Sequence, residues 1–213
     1  MKNYFFDLDG TLTDSADGII NSVIYAVKTF GIEETDRDAL RSFVGPPLID
    51  SFMKRYGFSR EKAEEALLRF RERFTSIGIY ENAPYDGIRE ILAEIKARGD
   101  RVILATSKPE VFAKRILEHF ELIQYFDAVC GANLAENSRV EKDEVLLYAL
   151  ETGGALREDS YMIGDRRYDV EAGRKFGLTT VGVLYGYGTR EELEKAGADL
   201  ICESVEQLKE VLK

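Results

Sequence analysis

The sequence predicts an α/β fold with a parallel sheet, interrupted after its first strand by a helical insertion. Three observations carry this. Apolar runs of strand length alternate with amphipathic segments from about residue 85 onward. A solitary strand pattern, Tyr4–Asp9, opens the chain. Between the two, residues 15–80 hold helical stripes and no convincing strand. Strand–helix alternation implies parallel pairing with both faces of the sheet covered.

In chain order, the strands after the first are expected at Arg101–Thr106, Ala128–Gly131, Tyr161–Gly164, Thr180–Leu184 and Asp199–Cys202. Ile88, Ile91, Leu92 and Ile95 mark one helix, ended by Gly99, and Leu146, Ala149 and Leu150 mark another, ended by Gly153. Thr189 with Glu192, and Ser204 with Gln207, have the spacing of capping boxes. Inside the insertion, Ile20, Val23, Ile24 and Val27 form one stripe. Ala63, Ala66, Leu67, Phe70 and Phe74 form another, with Ser59 as its N-cap. Linkers are expected near Thr13–Asp17 and Tyr80–Asp86, which divides the chain into a core of residues 1–14 and 85–213 and a helical domain of residues 15–84.

The 213 residues carry a formal net charge of −10, which argues against non-specific binding to nucleic acid polymers or anionic membranes. Cys130 and Cys202 form no CxxC pair and read as reduced core thiols, which fits a cytoplasmic protein. The apolar run in the opening MKNYFFDLDG is too short for a signal peptide or a membrane anchor. His119 is the only histidine and lies late in a helical pattern, so Ser-His-Asp or Cys-His acyl transfer is disfavoured.

Four segments carry candidate chemistry. Asp7-Leu8-Asp9-Gly10-Thr11 ends the first strand; on an extended chain the two carboxylates point to one side, facing the ligand crevice of an open α/β sheet. Such a like-charged pair needs a cation or a shared proton. Val102 to Pro109 reads as a buried strand ending in the hydroxyls of Thr106 and Ser107, with Lys108 beside them and Pro109 near the first position of a helix. Hydroxyls and free N–H groups there suit a phosphate. Lys142 opens the helix Asp143–Leu150, an electrostatically poor place for a cation, which favours a functional use. Met162-Ile163-Gly164-Asp165 ends a strand, and Asp169 follows four residues on across a helix start. Capping alone could explain an acid there, but Asp165 with Asp7 would make an all-oxygen site suited to Mg²⁺.

Together, in this order and spacing from Asp7 to Asp169, the four segments resemble the haloacid dehalogenase superfamily of phosphohydrolases, and the resemblance covers essentially the whole chain. It implies a Rossmann-like core with a helical, C1-type cap inserted after strand one. Phe43-Val44-Gly45-Pro46-Pro47-Leu48 and Val183-Leu184-Tyr185-Gly186-Tyr187-Gly188 look most like the phosphoglycolate phosphatase or 5′-nucleotidase-like branch.

By that resemblance Asp7 is the nucleophile and Asp9 the acid and base. Mg²⁺ would be held by Asp7, the Asp9 carbonyl and Asp165, with Asp169 supporting its waters or the lysine. Gly10, Thr106, Ser107 and Lys142 would bind phosphate. The implied reaction is hydrolysis of a small phosphorylated metabolite; 5′-nucleotidase, pyrophosphatase or sugar-phosphate mutase chemistry stays open on the same scaffold. A dehalogenase is disfavoured, since it needs neither Asp9 nor Mg²⁺. From another class, a receiver-like signalling module would need neither a cap nor Asp9. One departure stands out: Asp143, not proline, follows Lys142, so Lys108 rivals Lys142 as the catalytic cation.

Overall fold

The structure, a computed structural model, describes residues 1–135, 138–154 and 158–213. The chain divides into two compact units, Met1–Asp14 with Pro84–Lys213, and Ser15–Ala83.

The first unit is built on six parallel strands: β1 (Asn3–Phe6), β4 (Arg101–Pro109), β5 (Ala128–Ala132), β6 (Ser160–Gly164), β7 (Thr179–Val183) and β8 (Leu200–Cys202). Their order is β5-β4-β1-β6-β7-β8. The chain therefore builds outward from β1 on one side, then returns to build on the other. That reversal makes the carboxyl end of β1 a topological switch point, where open α/β sheets bind ligands. Phe6 is in register with Leu104 on one neighbour and Ile163 on the other. All four β1 residues are buried, as a central parallel strand requires.

Helices α5 (Ile88–Ala97), α6 (Glu110–His119), α7 (Lys142–Gly153), α8 (Arg167–Lys175), α9 (Arg190–Ala196) and α10 (Val205–Val211) complete this unit. On one face, Phe5, Ile103, Cys130 and Met162 pack against Leu146 and Ala149 of α7. Full burial of each large side chain contributes about 2 kcal/mol.

Helices α1 (Ala16–Lys28), α2 (Arg37–Leu40), α3 (Leu48–Tyr56) and α4 (Arg60–Phe74) form the second unit. The α4 stripe is buried throughout, and in α1 Ile20, Val23 and Val27 are buried while Ile24 is half-buried; Ser59 caps α4 by accepting from Lys62 N. Helix α3 was not anticipated: Ile49 and Phe52 are its only buried residues, too few for a visible stripe. Aromatic contacts with Phe43 and Phe58 hold it in place. Two-residue strands β2 (Thr13–Asp14) and β3 (Ala83–Pro84) pair as a separate ribbon.

Several sequence expectations need correction. The first strand ends at Phe6, not Asp9. Asp7 N still donates to Ile163 O, but the N–H groups of Thr11, Leu12 and Thr13 then converge on the Leu8 carbonyl, and the chain curls. Asp7 and Asp9 therefore do not share a side of an extended strand. Strand β4 runs on past Thr106 to Pro109, with a register shift, and Pro109 is the N-cap of α6 rather than a first-turn residue. Helix α7 includes Lys142 and ends one residue before Gly154, which takes the left-handed conformation expected of Gly153. The two boxes close only halfway. Thr189 and Ser204 accept from the N–H groups of Glu192 and Gln207. The Glu192 carboxylate is drawn instead to Arg166 and Arg167 N, and Gln207 reaches Glu203 N.

Candidate active site

Asp7 stands directly beyond β1, Thr106 lies in β4, and Asp165 stands directly beyond β6. These are adjacent strands, so their ends deliver three polar side chains to one edge of the sheet. Lys142 and Asp169 come from the first turns of α7 and α8. The start of α7 is fixed by Glu144, whose Oε2 accepts from Val140 N at 2.9 Å.

Lys142 Nζ lies 2.8 Å from Asp7 Oδ1 and 2.6 Å from Asp169 Oδ1. At these distances both contacts are ion pairs. Burial alone would lower the pKa of the Lys142 ammonium; the Asp169 and Asp7 charges outweigh it and raise the pKa. Burial also pushes the Asp169 carboxyl above its ordinary range against the opposing pull of Lys142. Asp169 Oδ2 accepts from Arg166 N at 3.1 Å, so this residue caps α8 while it holds the lysine.

Lys108 takes a different place from its rival. Its Nζ contacts both oxygens of Asp9, at 2.9 and 2.7 Å. Its backbone N–H donates to Thr106 Oγ1 at 3.2 Å. The structure thus separates the two cations: Lys142 faces Asp7, and Lys108 faces Asp9.

Asp165 is fully buried, and its Oδ2 accepts from Tyr187 N at 2.7 Å. Its Oδ1 has no hydrogen-bond partner among the described residues. Burial first, then the charges of Asp169 and Asp7, push its carboxyl well above the ordinary range. Gly10 passes so close that a Cβ there would lie 2.3 Å from Asp165 Oδ2, and its φ of +81° suits glycine. Ser107 is half-buried in β4, and among the described residues its side chain makes no hydrogen bond to this cluster.

The chemistry of this donor set fits Mg²⁺. Asp7, Asp165 and Asp169 offer carboxylate oxygens within 4.8 Å of one another. One of these oxygens is orphaned and buried. Two buried lysines face four buried carboxylates, so a divalent cation would balance the cluster.

Sequence reasoning missed the part played by Tyr187. Its N–H holds Asp165 and its hydroxyl donates to Asp14 Oδ1 at 2.7 Å, while Tyr185 donates to the Thr11 carbonyl at 3.0 Å. A Gly-Tyr-Gly loop after a strand says only that backbone approaches something closely; what it approaches requires the fold.

A parallel doubly wound sheet with an acidic, lysine-bridged cluster at its switch point fits an enzyme core of the phosphohydrolase type. The chain belongs to the haloacid dehalogenase-like hydrolases, whose family model matches residues 4–183, and it is a phosphatase of that family. It is 41% identical over 211 residues to a 5′-nucleotidase of Pseudomonas aeruginosa, covering 99% of this chain and 95% of that protein. It is 37% identical to the tyrosine-protein kinase PtkA of Mycobacterium tuberculosis, covering 97% of this chain and 71% of that one. A crystal structure of a predicted phosphatase from Clostridium acetobutylicum superposes with a TM-score of 0.95 at 46% identity, covering 99% and 97% of the two chains. No helix among the described residues is long and apolar enough to cross a membrane.

Proposed function

We propose that this enzyme hydrolyses a small-molecule phosphate monoester through an aspartyl phosphate on Asp7. The observation that carries the reading is Lys142, buried and bridging Asp7 and Asp169 beside the unpartnered Asp165 oxygen. A carboxylate attacking a phosphate dianion meets like charge, and Lys142 cancels part of that repulsion. Mg²⁺, held by Asp7, Asp165 and the Asp9 carbonyl with Asp169 in support, would supply further charge neutralisation at the phosphoryl oxygens.

The steps belong to the chain's own residues. Asp7 forms a bond to phosphorus as the ester oxygen leaves, and Asp9 gives that oxygen a proton. Asp9 then takes a proton from water as the water attacks phosphorus and Asp7 departs. Splitting the hydrolysis this way lets one carboxyl serve both halves. Thr106 Oγ1 already accepts from Lys108 N, which leaves its hydroxyl proton to a phosphate oxygen. Gly10 and Ser107 complete the phosphate subsite in this reading.

The helical unit is read as the specificity-bearing cap of the family. Nucleoside 5′-monophosphates and phosphoglycolate are the first substrates to try: the first because of the Pseudomonas relative, the second because of the branch resemblance. The free, buried thiols of Cys130 and Cys202 fit a reducing, cytoplasmic setting. The test is steady-state phosphate release over a broad panel of phosphorylated metabolites, with Mg²⁺ and with chelator, ranked by kcat/KM. A small monoester should lead the panel and chelator should abolish the activity. Undiminished turnover in chelator, or a folded phosphoprotein leading every metabolite, would overturn the reading.

A further inference from the structure

Lys108 is a buried cation that the proposed mechanism does not use. It is 8% exposed, and its ammonium contacts both oxygens of Asp9, itself 7% exposed. A buried lysine costs several kcal/mol unless it is paired, so the pair is formed at a real desolvation penalty. The backbone around it is also fixed: Lys108 N donates to Thr106 Oγ1, and the register shift of β4 falls between Thr106 and Pro109.

We infer that Lys108 is the positioning residue of Asp9, selecting which carboxyl oxygen carries the proton. The argument is one of donors and acceptors. An ammonium has only donors, so beside a protonated carboxyl it prefers the carbonyl oxygen, a much stronger acceptor than the hydroxyl oxygen. When Asp9 holds a proton, Lys108 can keep one of its two contacts, and the oxygen it keeps is the carbonyl oxygen. The hydroxyl is then the other oxygen, turned away from Lys108. Its proton passes to the ester oxygen as the P–O bond breaks, and the second Lys108 contact re-forms on the bare carboxylate. In the hydrolytic half the same oxygen takes the proton from water and the contact opens again. Lys108 therefore holds Asp9 in one orientation through both halves without touching substrate.

The inference rests on Asp9 being the proton carrier of the proposed function. The test uses full-length protein with saturating Mg²⁺ and two esters of similar size. One is an alkyl phosphate, whose leaving oxygen needs a proton; the other is 4-nitrophenyl phosphate, whose leaving oxygen does not. Because kcat/KM reports the step that forms the aspartyl phosphate, K108M should lower it more than tenfold for the alkyl ester and less than threefold for the aryl ester, within the range open to general acid catalysis. K108R should recover most of the alkyl activity, which also covers the case in which K108M fails to fold. In a D9N background K108M should add less than threefold. An equal loss on both esters, or full additivity with D9N, would overturn the assignment of Lys108 and leave the phosphatase reading standing. Wild-type protein that turns over neither ester would overturn both.

Discussion

Both units of this molecule carry charge away from bulk water, and they treat it in opposite ways. In the helical unit, Arg73 forks onto Glu81 with both contacts at 2.8 Å, and Asn21 donates to the same carboxylate at 3.1 Å. Arg73 first among these pulls the Glu81 carboxyl below its ordinary range. In the core, Asp165 lies wholly buried with one oxygen unpartnered and its carboxyl pushed up. A satisfied carboxylate stabilises a fold; an unsatisfied one destabilises it and is retained for something the fold alone does not need.

The sharpest way to break this contrast is Asp7→Asn. An amide cannot attack phosphorus, so turnover should fall at least about 10³-fold, as for nucleophiles elsewhere, with circular dichroism and unfolding temperature intact. A well-folded variant that keeps a tenth of wild-type turnover refutes the covalent role.

Next is Lys142→Ala, which should cost at least about 10²-fold in kcat/KM, and by the same factor on alkyl and aryl esters, because phosphate charge does not depend on the leaving group. The Lys108 effect should be smaller and dependent on the leaving group. A reversed ranking would make Lys108 the cation of the nucleophile.

Asp165→Asn sharpens the contrast from the side of stability. In chelator the variant should melt a few degrees above wild type, since it relieves burial of a carboxyl crowded by Asp7 and Asp169 while its amide oxygen can keep the Tyr187 N–H. Added Mg²⁺ should raise the wild-type melting temperature and leave that of the variant unchanged. Differential scanning fluorimetry reads both. A variant that melts lower in chelator would show that Asp165 stabilises the fold.

The smallest effect belongs to the satisfied pair. Glu81→Gln should cost about 1 kcal/mol at pH 7, a modest figure because the Glu81 side chain is 31% exposed. The sign with pH follows from its lowered pKa. The stabilisation is present above the ordinary glutamate value, roughly 4.3, and is lost as pH falls through the folded value. Urea unfolding at pH 7 and at about pH 3 checks it: the gap between wild type and variant should close in acid. A gap that persists there would mean that the glutamate acts through packing rather than charge.

The sequence made part of this legible. The parallel core shows in the alternation of β4, α7, β6 and α8, because buried strands and amphipathic helices leave periods that survive in one dimension. Asp7, Thr106, Lys142, Asp165 and Asp169 could be named because each sits at a strand end or helix start, and a doubly wound sheet brings those together. The division of labour between Lys142 and Lys108 could not be read, since both are lysines beside strand ends and only the three-dimensional path separates Asp7 from Asp9. The curl after Phe6 was missed because Asp7-Leu8-Asp9 continues an apolar alternation that hydrogen bonds to the Leu8 carbonyl then override. The grip of Tyr187 on Asp165 joins positions 22 residues apart through backbone, which leaves no mark in composition.

The helical unit joins its own two ends. Gly18 N donates to Glu81 O at 3.0 Å, and a Cβ on Gly18 would sit 2.0 Å from Gly78 O, so a larger residue would force the entry and exit apart. This bears on the order in which the chain assembles. Strand β1 must find β4 across roughly a hundred residues, a slow search for an unstructured loop. If Ser15–Ala83 collapses first, it acts as a staple within that loop, and the distance left to search shrinks to about a third. The entropy of closing the loop then falls by about 1 kcal/mol, enough to speed the pairing severalfold. Gly18→Ala should therefore slow refolding of the whole sheet in stopped-flow experiments, although residue 18 is no part of it.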